Sequence, residues 1–401
     1  MEKTELASIE FSLQWESAYA THNDRCYVNK ADFWRDIFPG SLKEKLEVLP
    51  PGTTVTERYD AGVLVPSYDP WRVKTVKMTQ LKNDLEKNIT PIVGKFYPQG
   101  WAWKGLDCFR QNTVPFRVVD CHKELFIAET NHPLSRYPLT VDARLIEILQ
   151  PPLRKGGECK NLAELITEGG PGMQIPYQWS EKKSYSPYPF ARRNNGEDSD
   201  FYKQARMVQH LDDSALNQVT ALYASLLTPG TKILDVMSSC DSHLPDSHKT
   251  CKVTGLGLNE EELLSNPKLS SHILHDLNQD PALPFADNTF DAVICTSSIE
   301  YLVQPLEVLA EIARVTVPGG LFVTIFSDRW FPGKEIVPWA DMHHFERLGL
   351  ILDYYLKVGK FENIHTESIR GLPRPYTDKH IAQTRLSDPV FAVWANICWP
   401  Q

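Results

Sequence analysis

Cysteine, basic charge and long apolar runs are scarce in this sequence, and each scarcity excludes a class of protein. Eight cysteines are scattered over 401 residues without a Cys-x-x-Cys pair or zinc spacing, so we expect no metal site and reduced thiols of a cytoplasmic protein. A net charge of −9 offers no basic footprint for nucleic acid. No run of about 18 apolar residues predicts a membrane span, and the N-terminal sequence is not that of a signal peptide.

The apolar segments that do occur in the second half are short and regularly spaced. Four of them are too short for helices and end in polar or acidic residues, as strands do: Ile233–Met237, Val253–Leu258, Ile273–Leu277 and Ala292–Thr296. A fifth, Leu321–Phe326, follows the helix breaker Pro318-Gly-Gly320. Helical or loop stretches separate the segments, which predicts a doubly wound α/β sheet with its ligand at the carboxyl ends of the strands.

Specific motifs accompany this pattern. LPFADNTFDAVICTSSIEYL followed by EIARVTVPGG makes residues 206–401 resemble a class I S-adenosylmethionine-dependent methyltransferase of the type 11, small-molecule branch. The resemblance implies a Rossmann-like, seven-stranded α/β methyltransferase domain over 201–401, with the last strand antiparallel and S-adenosylmethionine as cofactor. The familiar Asp-x-Gly-x-Gly-x-Gly turn reads Asp235-Val-Met-Ser-Ser-Cys-Asp241 here, without glycine, and the acidic ribose ligand is replaced by Asn259.

The same resemblance implies a set of cofactor-binding residues at the strand ends and a lid before the first helix of the domain. The strand-end residues would contact the cofactor along its length, at the methionine, the ribose, the adenine and the reacting methyl. They are Asp235, Ser238, Ser239, Asn259, Asp276, Leu277, Thr296 and Ser297. The lid residues are Tyr202, Arg206 and His210, whose roughly helical spacing allows them to share one face. The alternative interpretation of that segment is an ordinary surface helix start.

The methyl acceptor is predicted only as a small molecule. In-line displacement on a sulfonium methyl needs mainly orientation, so no single catalytic residue is obligatory. An acceptor with a proton to lose needs a base, and the candidates are His243, His343 and His344, each of which could equally be an ordinary packed or surface histidine. The remaining candidate contacts to an acidic or a soft acceptor are Arg329, Lys334 and Cys240.

Residues 1–150 show short alternating strands and no glycine-rich turn, which predicts a small α+β domain. The predicted strands are Ile9–Trp15, Thr54–Arg58, Pro115–Val119, Glu124–Glu129 and Leu139–Ile148, with a helix at Ser41–Val48. FPGSLKEKLEVLPPGTTV and Asn131-His-Pro-Leu134 resemble the SlyD-like branch of FKBP-type prolyl isomerases, which implies an FKBP-like fold with 63–114 as an inserted flap. Ile37 and Phe38 match the floor of the isomerase cradle, but its other aromatics cannot be placed.

Residues 151–200 are rich in Gly, Pro and Asn and are predicted to be a partly ordered linker, with Asn194–Asp200 as a hinge. The resulting hypothesis is a small-molecule methyltransferase with an accessory FKBP-like domain that presents substrate, forms a homodimer or covers the site. The alternatives are a prolyl isomerase or chaperone with a degenerate methyltransferase-like binding module, and a scaffold with neither activity.

Overall fold

The structure is a computed structural model that describes residues 5–83, 85, 87–150, 156–176 and 190–399. The strands are β1 Leu6–Glu16, β2 Thr21–Asp32, β3 Thr54–Tyr59, β4 Val73–Lys77, β5 Phe96–Pro98, β6 Pro115–His122, β7 Leu125–Glu129, β8 Leu139–Ile148, β9 Lys232–Val236, β10 Lys252–Gly257, β11 Ser271–Leu274, β12 Phe290–Thr296, β13 Thr316–Phe326, β14 Phe361–Arg370 and β15 Val390–Ile397. The helices are α1 Leu42–Leu46, α2 Trp103–Leu106, α3 Leu162–Thr167, α4 Asp198–Phe201, α5 Asp213–Leu226, α6 Glu260–Ser265, α7 Pro305–Val315 and α8 His344–Val358. Four linker aromatics of the sequence, Tyr177, Trp179, Tyr185 and Tyr188, lie outside the described residues.

Seven strands of the second half form the predicted Rossmann-like sheet. Their order is β11-β10-β9-β12-β13-β15-β14, and β15 runs antiparallel to both of its neighbours. The central strands are buried and apolar on both faces because helices cover the sheet on each side, as parallel sheets require. Helix α5 begins at Asp212, whose side chain accepts hydrogen bonds from the amides of Ser214 and Ala215.

Two local predictions in this half are wrong. Pro318-Gly-Gly320 does not precede the fifth strand but lies inside β13, where the pairing with β12 shifts register and Gly319 adopts a φ of 77°. The sequence also predicts a helix over Asp341–Leu356, but α8 begins at His344, because Trp339–Asp341 forms a separate short turn and His343 caps the helix.

The sheet does not end at β14. A parallel pairing of β14 with β2 runs from His365 opposite Thr21 to Arg370 opposite Cys26, and it joins the sheet to the antiparallel strands β2-β1-β8-β3. The expected seven-stranded sheet is therefore part of one eleven-stranded sheet. At the junction, fully buried Asp24 accepts hydrogen bonds from Arg370 and Ser368.

A separate sheet of order β4-β7-β6-β5 packs around its own core, which includes Tyr97, Phe116 and Phe126. It is attached to the large sheet through the backbone amide of Phe96, which donates a hydrogen bond to Glu346 at the start of α8. Trp71, by contrast, is 88% exposed.

The cradle residues of the FKBP resemblance are placed as follows. Phe38 is buried with its ring centroid 4.8 Å from that of Phe33, whereas Ile37 is 54% exposed. The FKBP-like assignment of residues 1–150 stays a prediction. In the described part of the linker, α3 packs on the core of these strands through Leu162 and Ile166.

Candidate functional site

A cavity lies at the carboxyl ends of β9, β10 and β12, beneath the chain segment 198–211. It encloses about 130 Å³. All eleven residues predicted for the cofactor and the lid line it: Asp235, Ser238, Ser239, Asn259, Asp276, Leu277, Thr296, Ser297, Tyr202, Arg206 and His210.

The turn after β9 adopts a tight conformation without a glycine of its own. Met237 stands at a φ of 57°, a region that L-residues rarely adopt, and the Ser238 amide donates to Leu256 O on the neighbouring strand. The glycine that makes room for this turn is Gly257 on the neighbouring strand β10. A Cβ atom on Gly257 would lie only 2.4 Å from Ser238 O. The close approach that glycine usually provides within the turn is thus provided from across the sheet.

Asp235 lies at the centre of this turn with 3% of its surface exposed. Its Oδ2 accepts hydrogen bonds of 2.6 Å from the hydroxyls of both Ser238 and Ser242. Burial raises the pKa of Asp235 to about 6, and the two serine hydroxyls oppose that rise. The serines that replace the usual glycines therefore hold the carboxylate in place.

Strained backbone clusters around the cavity. Among the described residues, Met237, His243 and Ser297 all have positive φ, at 57°, 55° and 51°, and all three line the cavity. Such conformations cost about 1–3 kcal/mol each and persist where the surroundings enforce them, which they commonly do at binding and catalytic sites.

Asn259 connects the site to the covering segment. Its Oδ1 accepts from the Glu262 amide and caps α6, and its Nδ2 donates to the carbonyl oxygens of Tyr202 at 2.8 Å and Lys203 at 3.2 Å. An aspartate could make the cap but could not donate to those carbonyls. The replacement of the usual acid by Asn259 thus has a structural reason in this chain, and its polar atoms are already engaged by protein groups.

Glu262 provides the second attachment of the covering segment. One carboxylate oxygen accepts from the Arg206 amide at 2.7 Å and the other from the Ser239 hydroxyl at 2.7 Å. Residues after Tyr202 form turns and bends, so the predicted helical face is wrong, yet the lid side chains still converge on the cavity.

The underside of this lid is an aromatic cluster. The planar guanidinium of Arg206 lies 4.5 Å from the ring centroid of Phe201, 5.0 Å from that of Phe331 and 5.6 Å from that of Tyr202. The ring of His210 meets Phe331 edge-on at 5.2 Å. The contacts of Arg206 are cation–π interactions in a partly desolvated setting, and that of His210 is an edge-to-face ring contact.

The other predicted strand-end residues also line the cavity. One oxygen of Asp276 accepts from the Asn278 amide at 2.9 Å, and Leu277 is buried. At the end of β12, the Thr296 hydroxyl lies 2.6 Å from that of Tyr223 on α5.

The candidate histidines separate. His243 lines the cavity, and its contact with Asp241 lowers the pKa of that carboxyl to about 2. His343 and His344 do not line the cavity, because both stand at the start of α8. His343 is half-buried and caps the helix, and desolvation lowers its pKa to about 3, whereas His344 lies 3.6 Å from Asp328. The structure therefore does not bring these two candidate bases to the cavity.

The other residues proposed to contact the acceptor also differ in whether they reach the cavity. Cys240 lines the cavity, as expected. Arg329 pairs with Asp388 at 3.0 Å. Lys334 is 1% exposed and its Nζ lies 2.8 Å from both Asp198 Oδ1 and Gly196 O, so it is a buried structural cation and is not available for an acidic substrate.

The contacts of Asp198 show that the hinge predicted at Asn194–Asp200 is held in place. It is 4% exposed and accepts from Arg192 and Asn278 as well as Lys334, and these contacts lower its pKa against the effect of burial. The amide of Asn194 donates to Gly333 O. The segment predicted to be a free hinge is thus attached to the loop after β13.

Sequence reasoning missed Glu300, in the turn after β12. It is fully buried, and neither carboxylate oxygen has a hydrogen-bond partner among the described residues. Its signal was present in the motif SSIEYL, where an acidic residue stands between apolar ones, but the pattern alone does not distinguish a buried carboxyl from an exposed one.

Comparison with known proteins adds to this geometry. Residues 241–324 match the family described as "Methyltransferase domain". The chain is 28% identical over 174 residues to the ubiquinone/menaquinone biosynthesis C-methyltransferase UbiE of Burkholderia orbicola, covering 40% of this chain and 69% of that protein. It is 36% identical over 115 residues to a demethylmenaquinone methyltransferase of Corynebacterium urealyticum, covering 28% of this chain and 48% of that protein.

Two solved structures are also similar. The S-adenosylmethionine-dependent methyltransferase of Aquifex aeolicus aligns at 21% identity and a TM-score of 0.31, covering 47% of this chain and 91% of that one. The corresponding enzyme of Mesorhizobium loti aligns at 15% identity and a TM-score of 0.30, covering 44% and 96%.

Residues 241–324 therefore carry a match to a methyltransferase domain, and the cofactor is S-adenosylmethionine. The residues present fit that cofactor, because buried Asp235 and the strand-end polar side chains line the same cavity. Among the described residues, no helix is long and apolar enough to cross a membrane.

Proposed function

We propose that the chain transfers the methyl group of S-adenosylmethionine to a small planar aromatic acceptor bound beneath the lid. The observation that carries the proposal is the aromatic lining of the cavity by Tyr202 and Phe331, whose rings, together with that of Phe201, surround the guanidinium of Arg206 at 4.5–5.6 Å. An aromatic acceptor can pack against these rings edge-on or offset. The names of the relatives from Burkholderia orbicola and Corynebacterium urealyticum, which describe methylation in quinone biosynthesis, support the same class.

The residues of this chain divide the work of such a reaction. Asp235, Asp276 and Leu277 would hold the cofactor, which supplies an activated methyl group when bound. The lid, attached through Asn259 and Glu262, would exclude water and orient the two reactants.

Calorimetry with S-adenosylhomocysteine tests the cofactor half of the proposal, and we expect a dissociation constant in the micromolar range or below. For the acceptor, 1,4-naphthalenediol is the probe, compared with an aliphatic thiol and an aliphatic amine of similar size. Phe331→Leu should raise the KM of the diol several-fold, whereas Phe361→Leu, a core aromatic between the sheet and α8, should not. Preference for the thiol or amine would contradict the aromatic class.

The accessory role of residues 1–150 is part of the proposal. Their strands extend the sheet at β14, and the small sheet attaches to α8, so this half supports the side of the methyltransferase domain next to the loop after β13. Prolyl isomerase activity and a homodimer stay predictions from the sequence.

A further inference from the structure

A buried carboxyl without a hydrogen-bond partner stands directly behind the wall of the cavity. Glu300 follows β12 by four residues and is fully buried, and both of its oxygens are unpartnered among the described residues. An unsatisfied buried carboxyl costs free energy that a purely structural position would avoid. The next residue, Tyr301, lines the cavity.

The phenol of Tyr301 connects the carboxyl to the cavity. Its hydroxyl accepts a hydrogen bond of 2.8 Å from the amide of Phe331, another residue of the cavity wall, which leaves the phenolic proton free to be donated. The two groups are adjacent in the turn after β12, and although no hydrogen bond joins them in this structure, Tyr301 opposes the rise in the pKa of Glu300 and the Glu300 charge raises the pKa of Tyr301. The protonation state of each group therefore affects the pKa of the other.

We propose that Tyr301 and Glu300 form the proton-accepting pair of the methyl-transfer site, with the Tyr301 hydroxyl toward the acceptor and the Glu300 carboxylate behind it. The inference rests on the proposed function. In this arrangement Tyr301 is the catalytic residue and Glu300 is a positioning residue that acts through it.

The charge balance of the reaction requires an acceptor for one proton. Methylation of a neutral ring carbon forms a carbon–carbon bond, and the bonding pair of the broken carbon–sulfur bond stays on sulfur, so the methylated acceptor carries a positive charge. It becomes neutral by losing one proton from the methylated carbon. The Tyr301 hydroxyl oxygen accepts that proton while it donates its own phenolic proton to Glu300. Glu300 is then a neutral carboxyl, and it loses its proton to water after product release.

The surroundings of Glu300 suit a carboxyl that exchanges a proton near neutral pH. Burial is the main cause that raises its pKa, to about 8, and nearby Arg347 on α8 opposes the rise. The other titratable groups that face it are Tyr301 in its own turn, Glu335 in the loop after β13, Cys295 on β12 and Tyr202 in the lid. The negative charge of Glu335 disfavours the Glu300 carboxylate and the positive charge of Arg347 favours it. Because burial has the largest effect, the carboxylate forms at mildly alkaline pH.

The experiment compares Glu300→Gln and Tyr301→Phe with Asp353→Asn, which neutralises an equally buried carboxyl in α8 away from the cavity. With 1,4-naphthalenediol, wild-type kcat should rise with pH to a plateau above about pH 8. General-base catalysis is worth roughly 100- to 10,000-fold, so both site variants should lose at least about 100-fold in kcat at pH 8. Their affinity for S-adenosylhomocysteine should stay within about 3-fold of wild type.

A second readout does not depend on turnover. Carboxyl ¹³C resonances of glutamate-labelled protein should include one that titrates well above the others, disappears in Glu300→Gln and moves in Tyr301→Phe but not in Asp353→Asn. Wild-type kcat in Glu300→Gln, or an unchanged Glu300 titration in Tyr301→Phe, would overturn the pair. Absence of S-adenosylhomocysteine binding in the wild type would instead overturn the proposed function.

Discussion

Two sets of strands share one sheet in this protein, and they differ in what their direction allows. The parallel strands β9, β10, β12 and β13 bring all their carboxyl ends to one edge, and the polar residues after these strands meet there in a cavity. The antiparallel strands β1, β2, β3 and β8 alternate in direction, so the residues that follow them are divided between two edges. Strand direction thus determines that the second half carries the site and the first half supports it.

The junction between the two sets is where the largest effect is expected. Asp24→Ala removes the partner of Arg370 and leaves a largely buried cation, which costs about 3–5 kcal/mol. We expect both halves to unfold in one transition at lower denaturant concentration, monitored by tryptophan fluorescence and by far-ultraviolet circular dichroism. Lys249→Ala, which removes an exposed ion pair with Asp246, should change stability by no more than about 0.5 kcal/mol.

Two separate transitions, with the antiparallel half unaffected, would instead show that residues 1–150 fold independently. The same experiment therefore tests whether one sheet means one cooperative unit.

The second prediction concerns the pH dependence that Glu300 gives to the parallel half. Its folded pKa of about 8 lies above the unfolded value, so the folded state holds a proton that the unfolded state loses above about pH 4.5. Wild-type stability therefore contains a contribution that falls as pH rises from about 5 to 8. Glu300→Gln does not titrate, so the variant should match the wild type near pH 5 and be more stable by pH 8, on the order of 3 kcal/mol or less.

Chemical denaturation of the two proteins at several pH values measures this difference. Other buried carboxyls, including Asp235 and Asp353, have pKa values raised to about 6 and titrate in both proteins, so they cancel. A constant difference between pH 5 and 8 would contradict a raised pKa for Glu300.

The third prediction tests whether Asp276, at the carboxyl edge of the parallel strands, binds the adenine of the cofactor. Asp276→Ala should weaken S-adenosylhomocysteine binding by about 1–2 kcal/mol, because a carboxylate acceptor for the adenine amine is lost at a half-buried position. Asp280→Ala, an exposed carboxylate four residues further on, is the matched control and should bind normally. Calorimetry that finds equal affinities in both variants would show that the adenine lies elsewhere.

The smallest effect is expected at the lid attachment. Asn259→Asp keeps the cap of α6 but places a carboxylate beside the carbonyl oxygens of Tyr202 and Lys203, so the lid should loosen by about 1 kcal/mol. Limited proteolysis within 203–211 should then be faster, and S-adenosylhomocysteine should slow it less than in the wild type. The control is Asn161→Asp, which changes a cap of the same type on α3 and should leave the lid unchanged.

The strands and the site of the parallel half could be predicted because their signals are local. An apolar run such as Val253–Leu258 indicates a buried strand, and the polar residue after it marks the binding edge; both follow from a few consecutive residues. The eleven cofactor and lid residues, which the family resemblance implied, all line the cavity. His343 and His344 do not, because a histidine near a strand end gives no local sign of whether it caps a helix or faces a ligand.

The sequence alone determined the strand-end pattern of the methyltransferase half, since hydrophobic periodicity and turn residues act over short distances. Tertiary structure decided the rest, because the partners concerned are remote in sequence and no local pattern contains them. Asp24 meets Arg370 346 positions away, Lys334 meets Asp198 136 positions away, and Asn259 reaches the lid 57 positions back. These contacts join the antiparallel strands to the sheet, bury a lysine that looks exposed in sequence, and make an altered ribose ligand into an attachment point for the lid.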